Sequence, residues 1–325
     1  MTTLAPLDTA RASMFSHVPP YPGDPILSLM EAFQQDPRTD KVSLSIGLYF
    51  DEAGRLPVLD SVRQAGDALA REQSPSGYLP IEGIAPYRQL VQNLVFGAEH
   101  EAVRAQRIAT VQTLGGSGAL KLGADFIKHY FPDAEVWLSD PTWDNHLAIF
   151  QGAGLRTHSY PYYDAATGSL RFDAMLQTLR ELPSGSVVLL HASCHNPTGV
   201  DLSREQWQQL IPVIVERGLI PFVDMAYQGF GDGLDEDAWS VRALADAGAQ
   251  AFVANSFSKN FSLYGERVGG LSVVCSDAAT AGNVLGQLKA TVRSNYSSPP
   301  TRGARLVQQV LASPELSAQW AQELA

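Results

Sequence analysis

The chain has 325 residues, of which 45% are hydrophobic and 18% charged, which is the composition of a globular protein of about two domains. Its 34 acidic and 23 basic side chains give a formal net charge of −11, which disfavours nucleic acid or an anionic membrane surface as a partner. The two cysteines have no zinc-site spacing, so they exclude a disulfide framework and favour a reducing, cytoplasmic compartment. No apolar run approaches the ~20 residues that a membrane helix needs.

The N-terminal region has neither the basic start nor the apolar stretch of a signal peptide. Residues 1–13 are expected to be a disordered extension or a mis-assigned start, because Met14 opens a segment of more structured character. Residues 15–25 contain four prolines, which exclude a helix and predict an extended arm. The amphipathic spacing of Ile26–Phe33 then predicts a short helix.

From about residue 60 onward, short apolar runs alternate with helical patterns. The predicted strands are Ile108–Gln112, Glu135–Leu138, Leu155–Ser159, Val187–His191, Leu219–Val223, Ala251–Asn255 and Gly270–Cys275. The predicted helices include Ser117–Tyr130, Asn145–Gly152, Arg204–Arg217, Ser240–Ala247 and Ala278–Arg293. This alternation indicates an α/β fold with a mostly parallel seven-stranded sheet covered by helices on both faces, in three layers. Such sheets bind ligands beyond the carboxyl ends of their strands, so the residues there carry the functional signal.

The first strand is followed by the glycine-rich segment Leu114–Leu120, which leads into a helix. Glycines let the backbone approach a ligand, and a helix N-terminus offers free N–H groups to an anion. The segment is therefore a candidate phosphate cradle. A glycine-rich turn is more often simple turn chemistry, and this one lacks the spacing of a dinucleotide fingerprint or a P-loop.

Three more strand ends carry groups that suit a planar, charged ligand. Trp143 could stack on such a ligand, although a packed core tryptophan is the more common reading. Asn196 lies in a rigid Asn-Pro-Thr-Gly turn that presents its amide. Asp224 directly follows an apolar strand, with the Tyr227 phenol three residues later, although a lone Asp at this place is more often a helix cap.

Lys259 follows the sixth predicted strand, between Phe257 and Phe261. A surface lysine is the usual reading, but flanking aromatic residues predict partial desolvation. Desolvation lowers the pKa of an amine and makes it a better nucleophile. The segment Gly265–Gly270, which contains Arg267, follows a few residues later.

The order of these motifs resembles the fold-type I aminotransferases that depend on pyridoxal phosphate (PLP), in the aspartate and aromatic-amino-acid subgroup. The resemblance runs from Met14 to the last residue. It is carried most specifically by Ser256–Arg267, Cys194–Gly199 and Asn295–Pro300, and Leu44–Tyr49, Leu114–Leu120 and Tyr160–Tyr163 look closer to bacterial aromatic-amino-acid aminotransferases.

The resemblance implies a role for each motif. Lys259 would form the Schiff base with PLP and shuttle protons, Asp224 would pair with the pyridinium nitrogen, and His146 would hydrogen-bond Asp224. Tyr227 and Asn196 would contact the ring oxygen, Trp143 would stack on the ring, and Gly47 would line the substrate carboxylate pocket. The phosphate ligands would be Gly116, Ser117, Ser256, Ser258 and Arg267, joined across a homodimer interface by Tyr78. Arg293 would also cross the interface, to bind the side-chain carboxylate of aspartate, glutamate or 2-oxoglutarate.

The implied domains are an arm and the N-terminal part of a small domain over 14–58, a large PLP-binding domain over 59–313, and the start of an interdomain helix over 314–325. The family continues for several dozen residues with a segment that supplies the arginine for the substrate α-carboxylate, so an incomplete small domain and weak activity are expected.

The expected reaction is PLP-dependent transamination of aromatic amino acids and aspartate or glutamate with 2-oxoglutarate. The alternatives are a strict aspartate aminotransferase, a PLP-dependent lyase, a PLP-binding protein with little activity and, most distantly, a dinucleotide-dependent oxidoreductase.

Overall fold

The structure is a computed structural model that describes residues 13–20, 25–43, 47–75 and 77–325. The chain divides into two compact units, residues 1–49 and residues 50–325.

The first unit contains helix α1, Pro25–Gln35, which confirms the predicted short helix. Residues 14–17 form turns in which Ser16 N donates to Ser13 O at 3.0 Å and Val18 N donates to Phe15 O at 2.9 Å. The predicted extended arm is therefore wrong for these residues, and its residues 21–24 lie outside the described part of the chain. Proline excludes a helix interior, but its fixed φ suits a helix start, where Pro25 lies.

The second unit contains the remaining helices and all the described strands. The helices are α2 (Asp60–Glu72), α3 (Ala85–Phe96), α4 (Glu101–Arg104), α5 (Gly115–Tyr130), α6 (Asp144–Gly152), α7 (Phe172–Glu181), α8 (Arg204–Glu216), α9 (Trp239–Asp246), α10 (Ala278–Asn295), α11 (Arg302–Ala312) and α12 (Pro314–Leu324). The strands are β1 (Ile108–Leu114), β2 (Glu135–Asp140), β3 (Arg156–Pro161), β4 (Tyr163–Asp164), β5 (Ser169–Leu170), β6 (Val187–His191), β7 (Ile220–Met225), β8 (Phe252–Ser256) and β9 (Val268–Val274).

Seven strands form one sheet in the order β1-β9-β8-β7-β6-β2-β3, while β4 and β5 pair in a separate hairpin. Strand β9 runs antiparallel to both of its neighbours, and the other pairings are parallel. The predicted seven-stranded, mostly parallel sheet is confirmed. Because β9 alone is reversed, β1, β2, β3, β6, β7 and β8 all end at the same edge of the sheet, and we refer to it as the carboxyl edge.

Alternate residues of the central strands point into two different cores. In β6, Val187 and Leu189 pack with residues of α5, α6 and α10, whereas Val188 and Leu190 pack with residues of α7, α8 and α9. This period of two, with apolar residues at both phases, is typical of a strand buried on both faces. The three-layer prediction is therefore confirmed.

The start of β9 shows why its glycines belong to a strand. A Cβ on Gly269 would lie 2.5 Å from Asn255 O and 2.8 Å from the carbonyl carbon of Gly115. The sequence prediction started this strand two residues late, at Gly270, because glycine in a strand usually signals a break. In this strand, the absence of a side chain on Gly269 lets β8 and the start of α5 approach the β9 backbone closely. Among the described residues, no helix is long and apolar enough to cross a membrane.

Candidate active site

Asp224 lies near the carboxyl end of β7 and is almost completely buried. Its Oδ2 lies 3.0 Å from His146 Nε2, and His146 Nδ1 lies 2.8 Å from Thr142 Oγ1. Burial raises the pKa of Asp224, but the hydrogen bond to His146 and the electrostatic effects of His146, His191 and Lys259 together outweigh it, so the pKa lies below its ordinary value. Asp224 Oδ1 is buried and has no hydrogen-bond partner among the described residues.

Two further histidines, His191 and His195, lie near this carboxylate. His191 ends β6 in register with Asp224 on β7, and both of its ring nitrogens are buried with no partner among the described residues. His195 is held by Ser139 Oγ and Thr198 Oγ1, each at 2.8 Å. Burial lowers the pKa of His191 to about 4 and that of His195 to about 3, so both rings are neutral at pH 7.

Sequence reasoning did not select His191, His195 or Thr142 as site residues. A signal for His191 was present, because it is the last residue of an apolar strand adjacent to the strand that carries Asp224. Thr142 stands one helical turn before His146, which is the spacing of a local hydrogen bond.

Lys259 lies in the turn 258–261 after β8, with a half-buried side chain. Its Nζ lies 5.0 Å from the centroid of the Tyr227 ring. The chain has five lysines, and the other four have a carboxylate or carbonyl partner: Lys41 with Phe33 O and Asp36 O, Lys121 with Asp125, Lys128 with Pro132 O, and Lys289 with Glu82. Burial lowers the pKa of Lys259, although Asp224 opposes that shift, and Arg267 lowers the pKa further. Phe257 and Phe261 are themselves fully buried, which agrees with the predicted desolvation of the lysine between them.

The N-terminus of α5 faces a group of polar side chains. The Arg267 guanidinium donates to Leu114 O at 3.4 Å and Ser258 Oγ at 3.4 Å, and a Cβ on Gly115 would lie 2.7 Å from its Nη2. Ser256 lies next to Gly116, because a Cβ there would be 3.2 Å from the Ser256 Cβ. No side chain caps the first N–H groups of this 16-residue helix. Free N–H groups beside a guanidinium form a binding site for an anion.

The remaining aromatic and amide groups lie at the same carboxyl edge. Trp143 precedes α6 and packs edge-to-face on His146, with ring centroids 5.2 Å apart. Tyr227 is half-buried, and burial together with the Asp224 charge raises its pKa. Asn196 lies in the turn after β6, a loop held by two backbone N–H groups that donate to Asp201.

Three predicted residues, Tyr78, Arg293 and Gly47, have exposed side chains or positions. The Tyr78 side chain is 98% exposed and lines a cavity of about 880 Å³, together with Arg267 and Leu114. Arg293 is exposed near the end of α10, where its guanidinium donates to Ser297 Oγ. Gly47 belongs to the first unit and is exposed, so its role remains a prediction.

The sequence model of the family "Aminotransferase class I and II" matches residues 39–325. The chain belongs to the class I and II aminotransferases.

Named relatives of this aminotransferase fall into two substrate groups. It is 59% identical over 312 residues to the aromatic-amino-acid aminotransferase of Escherichia coli, with 96% of this chain and 79% of that protein covered. It is 53% identical over 312 residues to an aspartate aminotransferase of Pseudomonas aeruginosa, with 96% and 78% covered. The crystal structure of the aromatic-amino-acid aminotransferase of Burkholderia pseudomallei, covalently bound to PLP, is 51% identical and superimposes with a TM-score of 0.95 over 96% of this chain and 78% of that one.

The cofactor of this aminotransferase is PLP. Two features of the site fit a molecule that has a basic ring nitrogen, an aldehyde and a phosphate. The buried, unpartnered Asp224 Oδ1 can accept a hydrogen bond from a protonated ring nitrogen. The Lys259 amine, which has no oxygen partner in the described part of the chain, can hold an aldehyde, and the anion site at α5 suits the phosphate.

Proposed function

We propose that this aminotransferase takes amino groups from aromatic amino acids and from aspartate or glutamate, and that 2-oxoglutarate is the amino acceptor. Support for this dual specificity comes from relatives of both kinds, an aromatic-amino-acid aminotransferase at 59% identity and an aspartate aminotransferase at 53%. The observation that carries the assignment of the reaction centre is Lys259, which interacts electrostatically with the Asp224 carboxylate and the Arg267 guanidinium and has its amine over the Tyr227 ring.

When bound, PLP accepts the electron pair that remains on the substrate's α-carbon after its proton leaves. Asp224 assists this chemistry if it is ionised, because its negative charge keeps a partner nitrogen protonated. The lowered pKa of Asp224 and its hydrogen bond to His146 keep the carboxylate charged and fixed in direction at neutral pH. Thr142 in turn fixes the orientation of the His146 ring.

Lys259 has two tasks in this proposal. Its Nζ would hold the cofactor until the substrate's amino group takes its place, and the freed amine would then take the proton from the substrate's α-carbon and return it during the exchange. Both tasks require the neutral amine, and desolvation favours that form by lowering the pKa of Lys259. Tyr227 and Asn196 are assigned to the cofactor's ring oxygen, and Trp143 to its ring face.

The phosphate is assigned to the N-terminus of α5, with Gly116 and Ser117, and to Ser256, Ser258 and Arg267. Gly115 has φ +68° and leaves room for the Arg267 guanidinium, which any side chain on this residue would displace. The helix end and the arginine together offer both N–H groups and a full positive charge to one anion.

We further propose a homodimer in which Tyr78 and Arg293 serve the partner's site. Support comes from the exposure of Tyr78, at 98%, and of Arg293, which leaves both side chains accessible to a partner chain. Gly47 is assigned to the substrate carboxylate pocket, and residues 59–313 to a large cofactor-binding domain with small-domain parts at 14–58 and from 314 onward. The two free cysteines agree with a reducing, cytoplasmic compartment.

The reaction is tested by 2-oxoglutarate-dependent turnover of phenylalanine, tyrosine and aspartate by the PLP-loaded protein. Lys259→Ala should abolish all three activities, while the matched control Lys121→Ala, which removes a half-buried ion pair with Asp125 on α5, should retain them. Turnover of aspartate alone would replace the proposal with a strict aspartate aminotransferase.

The shared site is tested by mixing two defective variants, Lys259→Ala and Arg293→Ala, in one dimer. If Arg293 acts across the interface, one of the two sites in the mixed dimer has both wild-type residues, and about half of the wild-type aspartate turnover per dimer returns. If Arg293 acts within its own chain, both sites stay defective and no activity returns.

A further inference from the structure

The turn that carries Lys259 is held by hydrogen bonds at the next residue, Asn260. Asn260 is 1% exposed, and its backbone carbonyl accepts a hydrogen bond from Trp320 Nε1 at 2.6 Å. Its side-chain Nδ2 donates to Gln228 O at 3.1 Å, next to Tyr227. The turn is also closed locally, because Ser262 N donates to Lys259 O at 2.9 Å.

Trp320 reaches this turn from α12, about sixty residues later in the sequence. The side chain is 1% exposed and its ring packs on Phe261, with ring centroids 4.5 Å apart. A buried indole could be present for its apolar area alone, as in Trp137, whose Nε1 is buried with no partner among the described residues. In Trp320 the N–H is used, and the atom it binds is one peptide from the reactive lysine.

Helix α12 is itself fixed near its C-terminal end. The Glu323 carboxylate accepts hydrogen bonds from Asp60 N at 2.9 Å and from Ser61 Oγ at 2.5 Å. These groups form the N-terminus of α2, where no residue of its own supplies a side-chain cap. A carboxylate there satisfies free N–H groups and interacts favourably with the helix dipole. The indole therefore approaches the Lys259 turn from a helix that is held at a second point.

We infer that Trp320 is a positioning residue for Lys259, acting through the hydrogen bond from its indole N–H to the Asn260 carbonyl. The bond fixes the Asn260–Phe261 peptide, one residue beyond Lys259, and so restrains the turn from which the lysine side chain leaves the backbone. The inference rests on the proposed role of Lys259. It assigns to α12 a part in proton transfer that none of the site motifs contains.

The expected consequence follows from the geometry that proton transfer needs. A reacting group displaced by about 1 Å can cost up to a hundredfold in rate, while substrate binding through other residues changes little. Loss of the indole hydrogen bond should thus reduce kcat about five- to fiftyfold and change KM less than about threefold.

The first experiment measures the Lys259 amine in cofactor-free protein, so it does not depend on turnover. A small acylating reagent is applied across a pH series, and labelling of the Lys259 peptide is followed by mass spectrometry. The groups that face this amine are the Asp224 carboxylate, the Arg267 guanidinium and the Tyr227 phenol. Trp320→Phe leaves these groups in place but frees the turn, so the amine gains water and its labelling midpoint should rise by about half a pH unit or more.

Trp137→Phe is the matched control: on a half-buried side chain, it removes an indole N–H whose nitrogen is buried and has no partner among the described residues, in a strand distant in sequence from the Lys259 turn. It should leave the labelling midpoint, kcat and KM unchanged. A midpoint and kcat in Trp320→Phe equal to those of this control would overturn the inference. Absence of transamination in the wild type would instead overturn the proposed function, while the labelling arm still tests the position of Lys259.

The phenylalanine variant could be too unstable to fold, since its ring is smaller. Site-specific replacement of Trp320 by benzothienylalanine keeps the bicyclic shape and exchanges only the N–H for sulfur. A raised labelling midpoint and a reduced kcat in this folded protein support the inference. Wild-type values in it show that the indole serves packing alone and refute the inference.

Discussion

Asp224 and His146 are joined by a hydrogen bond of 3.0 Å that uses only one oxygen of the carboxylate. The second oxygen is buried and unpartnered among the described residues, and it lies at the carboxyl edge where Lys259 and Arg267 also lie. Leaving a buried carboxylate oxygen without a hydrogen bond is costly unless a ligand supplies one. The hydrogen bond to His146 thus fixes the orientation of the Asp224 carboxylate through Oδ2 and leaves Oδ1 for the cofactor.

Replacing Asp224 by asparagine tests the charge, because the amide keeps the shape and an oxygen for His146. Loss of a charge-assisted hydrogen bond costs about 1.5–3 kcal/mol, so kcat/KM for phenylalanine should fall about tenfold to hundredfold or more. PLP affinity, measured by fluorescence titration, should fall as well. Asp173→Asn, at an exposed position on α7, should change neither quantity. Equal values for the two variants would remove Asp224 from the cofactor site.

The neutral histidines predict a dependence of stability on pH. The pKa is about 4 for folded His191 and about 3 for folded His195, whereas an unfolded histidine has a pKa of about 6.5. The unfolded chain therefore binds more protons between these values, and the free energy of unfolding falls as pH falls below about 6.5. Each histidine contributes a slope of up to about 1.4 kcal/mol per pH unit.

Urea unfolding of cofactor-free protein between pH 7 and pH 5 measures this slope. His191→Asn should reduce the slope of the free energy of unfolding against pH by up to about 1.4 kcal/mol per pH unit, the contribution of one proton. His129→Asn, at an exposed position of α5, should retain the wild-type slope. A wild-type slope in His191→Asn would mean that this ring is not held neutral in the fold.

Sequence predicted the sheet well, because its strands depend on local signals. Strands buried on both faces appear as apolar runs, and in a mostly parallel sheet the residues after them meet at one edge. Lys259 and Asp224 were selected in this way, Arg267 was selected from the family resemblance, and their roles stay predictions. The structural features that could not be predicted from the sequence depend on pairing between distant segments. The register of His191 with Asp224, and the bond from Trp320 to Asn260, join residues that no local pattern relates.

Gly115 provides a test of the anion site that does not remove any ligand. Alanine there would place its Cβ 2.7 Å from Arg267 Nη2, on a backbone with φ +68° that disfavours side chains. We expect Gly115→Ala to weaken PLP binding about tenfold or more, as measured by equilibrium titration, because the guanidinium must move. Gly282→Ala on α10 is the control, since its Cβ would meet no atom within 4 Å. A PLP affinity shared by the two variants would contradict the assigned cradle.

Arg293 separates the two classes of substrate by charge. Arg293→Ala removes one charge-assisted pair with a side-chain carboxylate, worth about 1.5–3 kcal/mol, so kcat/KM for aspartate should fall about tenfold to hundredfold. Phenylalanine has no charge on its side chain and should lose much less. Arg302→Ala, at an exposed arginine paired with Glu266, is the matched control. Equal losses for aspartate and phenylalanine would show that Arg293 does not recognise the side chain.

Borohydride reduction of the PLP-loaded protein, followed by peptide mapping, tests the central claim most directly. The chain offers only five lysines, and Lys259 is the one whose amine lies over Tyr227 rather than against an oxygen. The account predicts one modified peptide with the pyridoxyl group on Lys259, and no stable label in Lys259→Ala. A label on Lys41, Lys121, Lys128 or Lys289 in the wild-type protein would contradict the account.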